Sequence, residues 1–241
     1  MPANLYNQVS CCQNTMKLGV LFSGGKDSTL ALHKAALKEE VTCLITLVSR
    51  NKESYMFHTP NVTITGLQAD ALGLPIVQKD TAGKKETELA DLEKAIIQAV
   101  GTYGIEGVVS GAVDSVYQAE RIQRICHKLD LWSYNPLWKR NQEELLKELV
   151  RLNIKSIISG VFAYPLDSSW LGKEIDQELI TKLLPLADKY GLSPAGEGGE
   201  IETTVLDAPL FKKRIEILSS HVLEAGSSSV FVIEKSRLVP K

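Results

Sequence analysis

Short apolar runs alternate with longer stretches of helical spacing through the first half of the chain. Leu18, Val20, Leu21 and Phe22 form the first run, residues 41–48 (VTCLITLV) the second, and residues 74–78, 107–110 and 131–134 three more. Runs of this length, bounded by Gly, Pro and polar residues, read as strands buried on both faces. Between them apolar residues recur at helical spacing: Leu30, Ala31, Ala35; then Ile64, Leu67, Ala71; then Leu92, Ala95, Ile96, Ala99; then Ile122, Ile125, Leu129. These spacings predict helices beginning near Ser28 and over 61–73, 87–103 and 114–129. Residues 49–60 and 79–88 are too polar and broken for regular elements and read as loops. The alternation of strand and helix predicts an α/β fold with a parallel five-stranded sheet, helices on both faces and right-handed crossovers.

The character changes near Pro136. A charged amphipathic helix is predicted over 141–152, a strand over 156–163, and a loop over 164–172 that holds Tyr164 and Trp170. The next helix, 175–190, contains Pro185, which should kink or split it. Residues 203–206, 214–218 and 229–234 read as strands. This pattern predicts a smaller α+β domain over 137–241, after a first domain over 16–136 and a loose extension over 1–15.

Residues 17–29 (KLGVLFSGGKDST) carry the first chemical signal. An apolar strand runs into Ser23, Gly24 and Gly25, and a helix starts at once. Glycines let backbone N–H groups approach a ligand closely, and a helix N-terminus adds unpaired donors and partial positive charge. Strand, glycine turn and helix together make an anion site suited to phosphate. The Walker loop is excluded, because Lys26 is followed by Asp27 and the spacing is too short, and no GxGxxG stands here. In an open α/β sheet, Ser49 and Gly111, at the ends of other strands, fall on the same rim. The second signal is residues 197–210 (EGGEIETTVLDAPL), where Glu197, Glu200 and Glu202 surround Gly198 and Gly199. Crowded carboxylates call for a cation or a basic partner.

The net charge of the 241 residues is -2, so no chain-wide basic field points to nucleic acid. No apolar run reaches the length of a membrane span, and residues 1–15 have neither the basic start nor the apolar core of a secretory signal. The four cysteines, Cys11, Cys12, Cys43 and Cys126, form no CxxC pair or zinc-type cluster. A cytoplasmic protein with reduced thiols is expected.

The hexapeptide Ser23-Gly24-Gly25-Lys26-Asp27-Ser28 resembles the pyrophosphate loop of the PP-loop ATP pyrophosphatases, an adenine nucleotide alpha-hydrolase-like fold. Together with EGGEIETTVLDAPLF, ESYMFHT (residues 53–59) and Ser168-Ser169-Trp170-Leu171-Gly172, it makes the chain similar to the diphthine–ammonia ligase family from Lys17 to about Val232. The family usually has an aromatic where Ile201 stands. The resemblance implies amidation of diphthine on translation elongation factor 2, with ammonium and ATP consumed and AMP and pyrophosphate released through an acyl-adenylate. It implies ATP and Mg2+ as cofactors and diphthine-bearing elongation factor 2 as the protein partner. No stable nucleic-acid partner or membrane is expected, and a homodimer is compatible with the sequence.

Residue roles follow as expectations. Ser23, Gly24, Gly25, Lys26, Asp27 and Ser28 hold the phosphates, with Ser49 and Gly111 beside the nucleotide and Asp27 on Mg2+. Lys26, Asp27, Glu197, Glu200 and Glu202 carry the chemistry, the acids serving as holders of ammonium or of the trimethylammonium group of diphthine. Such a group is held by aromatic faces and carboxylates. Tyr55, Tyr117 and Trp170 are therefore expected at the substrate, with His58, Arg121, Gly198, Gly199 and Thr203; Phe57 and Tyr164 are further aromatics in expected loops. Two rival readings remain open: another PP-loop adenylating enzyme, acting on tRNA or making a small amide, and a nucleotide-binding regulator without turnover.

Overall fold

The computed structural model describes residues 15–49, 61–82, 85–226 and 228–241. Its first sheet contains β1 (Lys17–Leu21), β2 (Glu40–Ser49), β3 (Ile76–Thr81), β4 (Gly107–Val109) and β5 (Trp132–Tyr134), in the order β3-β2-β1-β4-β5. Every pairing in it is parallel. The crossovers carry α1 (Lys26–Ala36), α2 (Thr65–Leu72), α3 (Lys85–Tyr103) and α4 (Val116–Lys128). Side chains alternate across a strand, and β2 shows the consequence. Cys43, Ile45 and Leu47 join a cluster with Leu92, Ile96 and Ile122 of α3 and α4, while Leu44 joins the opposite cluster with Leu30 and Ala31 of α1. Helices therefore cover both faces, as the continuous apolar runs required.

The second sheet is antiparallel, with β6 (Lys155–Val161), β7 (Ile201–Asp207), β8 (Arg214–Ala225) and β9 (Ser228–Val239) in the order β7-β6-β9-β8. Helices α5 (Gln142–Arg151) and α6 (Gln177–Tyr190) accompany it. Their buried residues, Leu145, Leu146, Leu149, Leu179 and Leu183, belong to the same cluster as Leu18, Val20 and Phe22 of the first sheet's β1 region. The two sheets are thus joined through one apolar core.

Three expectations are corrected. β3 runs to Thr81, into the stretch read as a loop, and α3 begins at Lys85. Val77 and Thr81 face inward while Lys79 is only partly covered, so a half-exposed edge strand gives a polar pattern. α6 is not split at Pro185. Pro185 and Thr181 are both on the exposed face, where water can satisfy the Thr181 carbonyl that Pro185 cannot serve, and Leu179, Leu183 and Ala187 bury a stripe on both sides of the proline. β8 and β9 each extend to 12 residues. The outer part of β8 is exposed, so burial did not impose the alternation that would have announced it. Among the described residues, no helix is long and apolar enough to cross a membrane.

Candidate functional site

The strand order reverses between β1 and β4, and ligands in such sheets bind in the crevice beyond the strand ends at this point. A cavity of about 580 Å³ opens there. It is lined by Ser23, Gly25, Lys26, Asp27 and Ser28 on one side and by Glu197, Gly198, Gly199, Glu202 and Thr203 on the other. The two stretches singled out in the sequence thus face one space, although about 170 residues separate them.

The glycine turn is fixed from below. Gly24 adopts φ +81°, and a Cβ there would sit 2.3 Å from Gln68 Oε1. Gln68 Nε2 donates to the Gly24 carbonyl at 2.9 Å and to the Val205 carbonyl at 2.7 Å, while Val205 N donates to the Gly24 carbonyl at 2.9 Å. This clamps the turn to β7. Lys26 N donates to Thr203 Oγ1 at 3.1 Å. Ser23 Oγ and Ser28 Oγ lie 3.2 Å apart. The N–H groups of Asp27 and Ser28 make no hydrogen bond to a described residue, as expected for the first turn of a helix. A Cβ on Gly111 would come within 2.8 Å of Ser28 N, so the loop after β4 approaches these donors as closely as only glycine allows.

Lys26 is buried, and its Nζ donates to Asp27 Oδ2 at 2.6 Å and to the Ala195 carbonyl at 2.5 Å. Burial pushes the Glu202 carboxyl up to about 7, with the charges of Asp27 and Glu197 adding to the rise and Lys26 opposing it. Glu197 is raised for the same reasons, burial first and Asp27 next, against the pull of Lys26 and of the Asp114 N–H that donates to it at 3.2 Å. The cavity therefore holds a local surplus of carboxylate that one lysine does not balance. Asp114 itself is held below its usual range by hydrogen bonds from Lys139 and Gln142. Gln142 Oε1 also accepts from Ser193 Oγ at 2.6 Å and Ala195 N at 3.1 Å, which pins the loop carrying Glu197.

Several expected site residues lie elsewhere. Glu200 folds back on its own loop, accepting from Ser193 N at 3.0 Å and Gly198 N at 2.9 Å, and does not line the cavity. Ser115, which caps α4, and Gln118 and Ile122 on the helix itself face the cavity. Tyr117 and Arg121 lie one position off Gln118 and Ile122, the guanidinium 3.4 Å over the tyrosine ring. Trp170 packs on the core with Lys173 over its ring, and Tyr164 pairs edge-on with Tyr190. Ser49, at the end of β2, is not among the lining residues. Tyr55 and His58, with Phe57, lie outside the described residues. Sequence reasoning missed Phe162, the residue directly after β6, which lines the cavity, and Gln68, which has no motif. The apolar wall includes Phe22, Ile45, Leu47 and Ile122.

The model for the diphthamide synthase N-terminal domain matches residues 16–133, and that for the diphthamide synthase C-terminal domain matches residues 141–239. The chain belongs to the diphthamide synthase family. Diphthine–ammonia ligase from Mus musculus is 37% identical over 92% of this chain and 91% of its own length. The enzyme of the same name from Bos taurus is 36% identical over 86% of this chain and 85% of its own. That from Schizosaccharomyces pombe is 35% identical over 89% of this chain, but the match spans only 38% of its length. The diphthamide synthase match covers both the glycine turn and the acidic loop, so both walls of the cavity belong to the family.

Proposed function

We propose that this chain is an ATP-dependent diphthine–ammonia ligase that turns the carboxylate of diphthine on elongation factor 2 into the amide of diphthamide. The observation that carries the reading is the shared cavity: a phosphate-type turn and an acid-rich loop, joined by Lys26 to Thr203 and Lys26 to Ala195, in a chain of this family. A carboxylate resists attack by ammonia, and transfer of AMP to it creates a mixed anhydride with a good leaving group. The chain supplies preorganised donors for the pyrophosphate that departs, the kind of stabilisation that lowers such barriers most. Ser23, Ser28 and the free N–H groups of Asp27 and Ser28 receive the phosphates, and Phe22, Ile45 and Leu47 offer an apolar wall to adenine. The ring of Phe162, which lines the cavity beside the acidic loop, is placed to meet the trimethylammonium group.

Among the described residues no three acidic, histidine or cysteine side chains converge as a ready-made metal centre. That suits Mg2+, which is commonly held by one or two carboxylates plus phosphate oxygens, and Asp27 is the carboxylate beside the turn. When bound, the ion would neutralise charge developing on the pyrophosphate. The cytosol is the compartment this function assigns.

The test is incubation with diphthine-bearing elongation factor 2, ATP and ammonium. Acid-to-amide conversion by mass spectrometry and acceptor-dependent release of AMP and pyrophosphate are expected. ATP binding without acceptor-dependent turnover would favour the regulator instead.

A further inference from the structure

The nitrogen substrate is a small cation that must become neutral before it can attack. Its site needs acceptor oxygens arranged around a tetrahedral ammonium, with one carboxylate left over to receive a proton. One ammonium already sits in such surroundings, and it belongs to the protein. Lys26 Nζ is held by the Ala195 carbonyl at 2.5 Å and Asp27 Oδ2 at 2.6 Å. Glu197 and Glu202 line the same cavity. The half-buried Glu202 carboxylate has no hydrogen-bond partner among the described residues and lies within the electrostatic reach of Lys26, Asp27 and Glu197. Glu200, by contrast, has both oxygens engaged by its own loop.

Lysine carries its charge on a flexible four-carbon stem. A triphosphate on the adjacent turn competes for that charge with far more negative charge than Asp27 offers. Were Nζ to turn to it, the Ala195 carbonyl would lose its donor in the cavity that Glu197 and Glu202 also line.

We propose that the Ala195 carbonyl that now holds Lys26 Nζ, together with the Glu197 and Glu202 carboxylates that line the same cavity, forms the ammonium site, and that Glu202 takes the proton. The inference rests on the ligase reading above. Ammonium gives one proton to the Glu202 carboxylate. The freed lone pair forms the C–N bond to the acyl carbon, the bond from that carbon to the AMP oxygen breaks, and AMP leaves with the electron pair. A second proton passes from the nitrogen to the phosphate of the departing AMP as the amide forms, and the oxygen that diphthine loses departs on AMP. The exchange needs no oxidant or further reactant. Gln142 acts as a positioning residue, since it holds Ala195 N and Ser193 Oγ and so aims the Ala195 carbonyl.

The experiment compares the intact protein with Glu202→Gln and Glu197→Gln in three assays on diphthine-bearing elongation factor 2. Acceptor-dependent exchange of pyrophosphate into ATP reads adenylation alone. Amide formation reads ammonium use. Hydroxamate formation with hydroxylamine, a neutral nucleophile near pH 7.5, bypasses both cation binding and the first proton transfer. For Glu202→Gln, the ammonium KM should rise or amide kcat fall by roughly tenfold or more, while exchange and hydroxamate formation stay within about twofold. Glu197→Gln should show the same pattern mainly in KM. Equal losses with ammonium and hydroxylamine, or an unchanged response to ammonium, would overturn the proposal. Absence of acceptor-dependent exchange in the unsubstituted protein would instead overturn the ligase reading beneath it.

Discussion

Gly24 takes a left-handed backbone, and its missing Cβ is the space that Gln68 fills. Gly24→Ala should cost about 2 kcal/mol or more, from the positive φ and the displaced amide, and should weaken ATP binding by moving the turn off β7. Urea unfolding and nucleotide titration check both effects. Glu202 makes the pH argument. Its folded carboxyl titrates near 7, well above its ordinary value, so the folded state holds the proton more tightly than the unfolded chain. The associated stability is fully present below about pH 4.5 and is lost as pH rises through 7. The intact protein should therefore lose about 2–3 kcal/mol relative to Glu202→Gln between pH 4.5 and 8, measured by denaturant melts in EDTA without nucleotide. A parallel pH dependence in the two proteins would contradict the assignment.

At the scale of elements, α4 shows why helix phase matters. Its sequence offered Tyr117 and Arg121, the residues with conspicuous chemistry, but Ser115, Gln118 and Ile122 face the cavity. Helical neighbours lie three or four positions apart, so a shift of one position moves a side chain by about 100° around the axis. Gln118→Ala should raise the KM for ATP by roughly tenfold through a lost polar contact. Arg121→Ala, whose guanidinium is spent on the Tyr117 ring and carbonyl, should leave that KM within about twofold. Steady-state kinetics at saturating acceptor distinguish them. The strands after the glycine turn were legible because burial on both faces leaves an unbroken apolar run. β3 and β8 were shortened in the reading because each lies at a sheet edge, where one side meets water and polar residues interrupt the pattern.

Across the whole molecule, the two sheets share one core, in which Leu146 and Leu149 of α5 and Val205 of β7 join Val20 and Leu30 of the first sheet's side. Unfolding should accordingly be a single transition, with far-UV dichroism and tryptophan fluorescence giving the same midpoint. Trp132 stands in the first sheet and Trp170 beside the second, so fluorescence reports on both. Leu146→Ala should lower both readouts together, by about 2–5 kcal/mol. Two separated transitions would show that the halves are stabilised independently.

By itself the sequence determined the parallel sheet, the glycine turn at Ser23–Ser28, the acidic loop at Glu197–Glu202 and the family, because burial, glycine geometry and charge crowding act over short stretches of chain. Only the tertiary structure decided which acids face the cavity and which do not. It turned Glu200 onto its own backbone, left the Glu202 carboxylate without a hydrogen-bond partner among the described residues, and supplied Gln68 and Phe162, which no motif announces. Those outcomes depend on contacts between residues far apart in the chain, where register and helix phase, set by the whole core, choose what each side chain meets.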